Sequence, residues 1–295
     1  MPRAIDHLVL AAHDLEAQAA LYRRLGFQVG ARNRHPWGTE NHIVQFPGAF
    51  LELIGLGKDF VAPSVAPGAY SFADFVSRFL AHREGFAMLV LRSDDAEGDR
   101  RRFAAEGLGD FARFDFARKA RKTDGREVEV SFSLAFARSP ALPEAGFFVC
   151  QQHFPENFWS PALQIHSNGA TGVAGVALAS ETPSDHVEFL ERFVGAGEAR
   201  VVDGGFALDL EGSAVEILTN AALAARYGAG SFADDHPPLL VTRIAVADLA
   251  VAEAALKSNG VTHARHGELL VISAGEAFGA VFVFESAAAQ RTARA

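Results

Sequence analysis

Residues 4–56 read AIDHLVLAAHDLEAQAALYRRLGFQVGARNRHPWGTENHIVQFPGAFLELIGL. The first nine of them are apolar and β-branched, the composition of a strand. Asp14 then stands where a helix N-cap would, and Leu15, Leu21, Tyr22 and Leu25 recur at helical spacing. Gly26 supplies the left-handed residue that stops such a helix. Residues 27–33 and 40–46 read as strands, and the Pro47-Gly48 turn leads the second into a further strand at 49–56. The order is βαβββ.

That order recurs along the chain. At 239–285 the strand LLVTRIAVA precedes Asp248 as a cap, a helix that stops at Gly260, and the short strands VTHAR, ELLVIS and GAVFVFE. Asp14 to Gly26 and Asp248 to Gly260 have the same spacing. A third copy opens with GVAGVALAS (172–180), with Thr182 as cap, Pro183 at the first helical position and Gly195 as the stop. Its GSAVEIL (212–218) matches GAFLELI (48–54) position for position, so Glu216 stands where Glu52 stands. The second copy is less regular: a strand at 85–93, Asp95 as cap, a long hairpin around Thr123-Asp124-Gly125, and the strand GFFVCQQHF (146–154). Four βαβββ units predict an α+β protein of two tandem cup-shaped, open-barrel domains. The first would span 1–160 (units 1–56 and 85–154, joined by a helix at about 70–82) and the second 171–288 (units 171–219 and 239–286).

The composition narrows the function. A chain of 295 residues, 49% hydrophobic, can fill two such cores. A formal net charge of −9 argues against nucleic acid or an anionic membrane surface as partner. No apolar run approaches the roughly 20 residues that cross a bilayer, the N-terminus lacks a secretory pattern, and the lone Cys150 can form no internal disulfide. A soluble cytoplasmic protein acting on a small molecule is the expectation, and a homodimer is compatible with it but not required. Phe occurs 25 times against 3 Tyr, which places aromatic bulk where a hydroxyl would lack a partner. In FARFDFAR (111–118) and VEVSFSLAF (128–136) the Phe residues alternate with period two, as in a sheet curving around a cavity. Phosphate loops, dinucleotide fingerprints, zinc-spaced cysteines and Gly-x-Ser-x-Gly elbows are absent from the sequence. The runs Arg100-Arg101-Arg102 and RKARK (118–122) read as a solvated helix face and a hairpin tip.

Two polar residues stand out against apolar strands. By alternation His7 shares a face with Ile5 and Val9, away from Leu8 and Leu10. Glu52 lies between Phe50 and Ile54 on its own face, with Leu51 and Leu53 on the other. A carboxylate so placed is expensive unless it meets a cation, a metal or several donors. Gln152 shares the parity of Glu52, and a bulge would bring in His153 instead. Thr39, Asn41 and His42 follow the Gly38 turn. His35-Pro36-Trp37 reads as an ordinary loop, with the rim or lid of a pocket as the other reading. His166 has no assigned role, and Cys150, amid Phe148 and Val149, reads as an inert thiol.

The repeated units, the strand His and the fourth-strand Glu resemble the vicinal oxygen chelate superfamily, which includes glyoxalase I, extradiol dioxygenases and bleomycin-binding proteins. HPWGTENHIVQFPGAFLELI (35–54) and FFVCQQHFPENFW (147–159) look like its glyoxalase-like branch. The resemblance covers about the first 170 residues, the rest matching only as repeated architecture. It implies a divalent metal in a cup, with ligands from the first and fourth strands of paired units. His7 and Glu52 match the two positions of unit one. Unit two departs, with Ala87 or Met88 at its His position and Cys150 or Gln152 at its Glu position. Units three and four offer Gly175 and Val241 for the His, and Glu216 and Val283 for the Glu. What the resemblance implies is a metal-dependent lyase, isomerase or dioxygenase with Glu52 and His7 catalytic and His7, Glu52 and His153 holding Fe(II), Mn(II), Ni(II) or Zn(II). Asn41, Thr39 and Gln152 would contact a small oxygenated substrate. The alternative is a metal-free protein of the bleomycin-resistance kind, sequestering an amphipathic cation in an acidic, Phe-lined cup.

Overall fold

A computed structural model describes residues 3–66, 69–122, 125–195, 197–229 and 239–287; the hairpin residues Thr123 and Asp124 lie outside these. The first half runs β1 (Ile5–Ala11), α1 (Leu15–Arg24), β2 (Asn33–Arg34), β3 (Thr39–Phe46), β4 (Ala49–Leu56), α2 (Phe72–His82), β5 (Gly85–Arg92), α3 (Ala96–Ala105), β6 (Phe114–Arg121), β7 (Glu127–Ala137) and β8 (Gly146–Gln152). A one-turn helix α4 (Pro155–Phe158) and a 3₁₀ turn (Pro161–Gln164) follow. The second half runs β9 (Ala170–Ala179), α5 (Ser184–Val194), β10 (Arg200–Val202), β11 (Gly205–Asp209), β12 (Ala214–Leu218), α6 (Asn220–Tyr227), β13 (Leu239–Val246), α7 (Leu249–Ser258), β14 (Ala264–His266), β15 (Leu269–Ile272) and β16 (Val281–Ser286).

Each half forms one curled eight-stranded sheet. The orders are β2-β3-β4-β1-β5-β8-β7-β6 and β10-β11-β12-β9-β13-β16-β15-β14, so two βαβββ units meet at β1/β5 and at β9/β13. The two-tandem-cup architecture expected from the sequence is the one observed. Caps fall where the spacing put them: Asp14 accepts from the Ala17 amide and Asp248 from the Ala250 amide, while Gly26 and Gly260 take positive φ. Thr182 makes no such side-chain cap; its backbone carbonyl accepts from the Asp185 amide, and α5 begins at Ser184. The strand expected at 27–33 is reduced to Asn33–Arg34, because Gly30 donates to the Ile43 carbonyl as an isolated bond rather than a ladder.

Leucines and phenylalanines of alternate parity divide between two faces. Leu8, Leu10, Leu51, Leu53, Phe147 and Val149 of the first sheet share one core with Val176, Ile217, Phe282 and Phe284 of the second. α1, α3, α5 and α7 send apolar residues into it, as where the Tyr22 and Phe282 rings meet at 5.3 Å. The halves are thus joined through their convex faces. At their closest the backbones touch: a Cβ on Gly85 would lie 2.8 Å from the Gly279 carbonyl oxygen, so neither strand end tolerates a side chain there. Arg102, expected on a solvated face, donates instead to the carbonyls of Arg192 and Phe193 at the end of α5. Each concave face has its own smaller core. α2, capped by Ser71, presses Phe72, Phe75, Val76, Phe79 and Leu80 into the first cup.

Candidate functional site

One irregularity in β1 shapes the site. In the antiparallel ladder with β5, Ile5 faces Leu91 and His7 faces Val90, so Asp6 is an extra residue on a bulge. The bulge turns Ile5 into the central core and leaves both Asp6 and His7 buried on the concave side. Strict alternation had put Ile5 beside His7 and Asp6 opposite. Asp6 then holds His7: its Oδ1 lies 2.6 Å from Nδ1, and its Oδ2 accepts from Gln152 Nε2 at 2.8 Å. A carboxylate on Nδ1 fixes the tautomer that leaves Nε2 facing the cup. The imidazole is stacked on Phe50 at 4.3 Å and met edge-on by Phe148 at 5.5 Å.

Glu52 is the second buried acid, opposite Val9 in the parallel β1/β4 ladder. Its Oε1 accepts from Asn41 Nδ2, whose other proton points to His35 Nε2 at 3.3 Å. With Nε2 accepting, His35 Nδ1 donates to Thr39 Oγ1 at 2.8 Å, and Asn33 donates to Asn41 Oδ1. This chain of bonds requires a neutral His35, and burial does push its pKa down, against the opposing pull of Glu52. Glu52 Oε2 has no hydrogen-bond donor among the described residues; the nearest cationic or imidazole nitrogen is His7 Nε2 at 3.9 Å. So the carboxylate has one oxygen fixed and one turned to the cup.

The cup encloses a cavity of ≈ 50 Å³ lined by these groups and by Trp37, Phe72, Phe116, Phe132, Phe148, Cys150 and Phe158. It shares Ile43, Arg118 and Phe158 with an adjacent groove of ≈ 520 Å³. Gln45 braces the groove wall, donating to the Phe158 carbonyl and accepting from the Ser160 amide. His166 accepts from the Gln28 amide and bonds the Gln45 carbonyl, which ties the 154–171 connection to the first sheet.

The structure brings His7, Glu52 and Asn41 together and places Gln152 behind them, on Asp6. Thr39 lines no part of the cavity and acts on His35. His153 does not join the set: β8 ends at Gln152, and the next side chain turns outward to Ser133 Oγ at 2.7 Å, beside Asp115. Nor does Cys150 or Gln152 occupy the position equivalent to Glu52. Val90 is paired with Phe148 as Val9 is with Glu52, and Met88 with Gly146 as His7 with Phe50, so the equivalents of Glu52 and His7 are Phe148 and Met88. Asp6, His35 and Arg118 are the residues that sequence reasoning missed. The RKARK hairpin tip is in part a strand, and Arg118 carries the parity of Phe114 and Phe116 into the cup. That alternation was the available signal.

Donors for a metal are nonetheless gathered here. Asp6, His7 and Cys150 have ligand atoms within 4.8 Å of one another, all buried, and Glu52 Oε2 stands 3.9 Å from His7 Nε2. Imidazole, carboxylate and thiol donors on one side of a cup fit a divalent ion of borderline softness. Without one the Cys150 thiol is protonated, since burial and the neighbouring Asp6 push its pKa well up.

A family model described as a glyoxalase-like domain matches residues 5–194. The chain belongs to that family. Membership of the vicinal oxygen chelate superfamily, expected from the sequence, is thereby borne out. Solved structures of the same fold include a hypothetical protein from Staphylococcus aureus, with a TM-score of 0.67 and 13% identity over 97% of this chain and 100% of that one. A mutant 4-hydroxymandelate synthase from Streptomyces coelicolor gives 0.59 and 14%, covering 96% and 92%. A xylose isomerase-like TIM barrel/4-hydroxyphenylpyruvate dioxygenase fusion gives 0.53 and 18%, covering 89% of this chain and 40% of the fusion. Among curated proteins none matches. No helix among the described residues is long and apolar enough to cross a membrane.

Proposed function

We propose that the N-terminal cup is the active site of a glyoxalase-like enzyme, in which Glu52 moves a proton on a small oxygenated substrate. The observation that carries this reading is the asymmetry of Glu52: Asn41 fixes Oε1, while Oε2 is left to a cavity lined by aromatic rings. A base oriented by one oxygen and free at the other is poised to take a proton from carbon next to a carbonyl. On a hydroxy-carbonyl substrate the C–H electron pair becomes a C=C bond and the carbonyl π pair passes onto its oxygen as the proton reaches Oε2. The same atom returns the proton to the former carbonyl carbon while the hydroxyl proton passes to the neighbouring oxygen, so the substrate is isomerised. His7 Nε2, its lone pair turned to the cup because Asp6 holds Nδ1, lies on the side of Oε2 without a hydrogen bond to it. His7 and Glu52 would hold a divalent ion, with Cys150 and Asp6 supplying donors that Met88 and Phe148 do not. When bound, such an ion supplies Lewis-acid polarisation of the substrate oxygen.

The experiment is in two parts. Elemental mass spectrometry of untagged protein, wild type beside His7→Ala, is expected to find a divalent metal that the variant loses. A screen of small hydroxy-carbonyl and keto acid compounds is expected to find turnover that Glu52→Gln abolishes with the circular dichroism spectrum unchanged. Full turnover in Glu52→Gln would remove the proposed base.

A further inference from the structure

Arg118 is a half-buried cation whose guanidinium has no hydrogen bond or ion pair among the described residues, although it lines both the cavity of Glu52 and the groove beside it. An arginine carries five N–H donors and cannot shed its charge, and here no protein acceptor among the described residues takes any of them, so they are open to a group that arrives through the groove. Burial works against the charge and only Glu52 works for it, from beyond ion-pair distance. A second unmet donor stands in the same wall: Trp37 Nε1 is buried without a partner. Trp37 itself is held flat against His35 at 4.6 Å and edge-on to Phe116 at 5.1 Å, so its indole is a fixed part of the lining. Elsewhere in the chain half-buried arginines are paired. Arg243 is bonded to Glu285 and Glu216, and Arg100 to Glu97. Among the described residues the exception therefore sits where the candidate cavity meets the groove.

We infer that Arg118 is the anchor for an anionic group, a carboxylate above all, on a substrate whose apolar or aromatic body lies against the Phe residues. The planar guanidinium matches a carboxylate with two parallel N–H···O bonds. The position of Arg118 between cavity and groove sets the anion where the two meet, with the body of the molecule in the ≈ 520 Å³ groove against Ile43, Phe158 and Trp159 and only its reacting end toward Glu52. This rests on the reading of the cup as a substrate site and adds the class of substrate: an aromatic or branched aliphatic acid rather than a cation. It runs opposite to sequestration of an amphipathic cation, for which Glu52 would be the anchor and Arg118 an obstacle.

Benzoate, benzamide and benzamidine share one shape and carry charges of opposite sign or none. Their binding to the full chain can be followed by titration calorimetry and by the fluorescence of Trp37 and Trp159, which both stand at the cup. Benzoate is expected to bind about tenfold or more tightly than benzamide, the worth of a charge-assisted pair. Arg118→Gln should reduce benzoate to the level of benzamide, Arg118→Lys should restore part of the difference, and Glu52→Gln should leave benzoate binding intact or improve it. Circular dichroism of each variant guards against misfolding. Equal binding of benzoate and benzamide, no binding of either at millimolar concentration, or tightest binding by benzamidine would overturn the anchor. Turnover that needs Glu52 without any preference for benzoate would remove the anchor and leave the enzyme. A preference for benzoate that needs Arg118, with no turnover found, would do the reverse.

Discussion

The two cups hold a glutamate at the same place and use it differently. Glu52 faces Val9 across the β1/β4 ladder, and Glu216 faces Ala177 across β12/β9. In the second cup Glu216 is met by Arg226, by the Tyr227 hydroxyl and by Arg243 Nη1 at 3.1 Å, and Arg243 in turn grips Glu285 with two bonds of 2.9 Å. Burial, helped by Glu216 and opposed by Arg243 and Arg226, pushes the Tyr227 hydroxyl far above its ordinary pKa, so it stays a donor. In the first cup the basic groups within 4 Å of Glu52 among the described residues are two imidazoles, His35 at 3.6 Å from Oε1 and His7 at 3.9 Å from Oε2. Part of the difference comes from α6, which brings Arg226 and Tyr227 to Glu216, and part traces to one strand position. The units of each half are related across β1/β5 or β9/β13, and the residue related to Val9 is Val90, whereas that related to Ala177 is Arg243. An arginine at that site turns the acid into a structural plug. A valine leaves it available.

The comparison is broken most sharply by paired substitutions. Glu52→Gln is expected to lower turnover by about 10²–10⁴-fold, the usual span for a lost general base, with thermal stability near wild type; steady-state kinetics and a melt measured together decide it. Glu216→Gln should do the opposite. It leaves Arg243 and Arg226 facing a neutral amide and costs about 3 kcal/mol, in the range for a broken buried pair, while turnover per folded molecule is kept. A urea midpoint unchanged in that variant would mean the two glutamates are alike after all. Smaller is the effect of Asp6→Asn, which keeps the shape but weakens the hold on Nδ1 of His7. A loss of about 10–100-fold in metal affinity or turnover is expected, and an Asp6→Asn enzyme with wild-type values would return Asp6 to a merely structural place.

The smallest expected effect is the pH slope. Burial lowers the pKa of His35 in the first cup, of His166 in the connection and of His186 in the second half. The unfolded chain therefore binds more protons than the folded one as pH falls below about 6.5. Stability from these groups is complete above that value and declines beneath it, by at most about 1.4 kcal/mol per pH unit for each. Urea midpoints from pH 7 to 5 measure the slope, and His35→Asn should flatten it. A slope of the other sign would mean that His35 is protonated in the fold, in conflict with its place as acceptor from Asn41.

Much of this was legible in the residues themselves. Caps at Asp14 and Asp248, glycine stops and the repeat of GAFLELI in GSAVEIL fixed four units and singled out Glu52, because local turn chemistry and strand parity act over a few residues. The losses occur where parity breaks. The bulge at Asp6 inserts one residue into a ladder and exchanges the faces of Ile5 and its neighbours, which no alternation rule anticipates. His35 was read as loop because its burial depends on a turn: the amide of Gly38, at φ +90°, donates to the His35 carbonyl, and the His35 amide to that of Thr39. Arg118 was hidden by its basic neighbours: Lys119 is exposed and paired to Glu127, and Lys122 lines the adjoining groove and donates to the Glu156 carbonyl. His153 misled for the plainest reason, that a strand ended one residue before it.

The shared convex core bears on how the molecule comes apart. Each sheet has given its larger leucine and phenylalanine face to the other half, and Gly85 is backed directly by Gly279. Dividing the chain in the 154–171 connection would strip both pieces of the same surface at once, so the halves stand or fall as one cooperative unit. The second cup, plugged and without the candidate groups of the first, then still has a part in the candidate site: it is the anvil against which the first sheet keeps its curve.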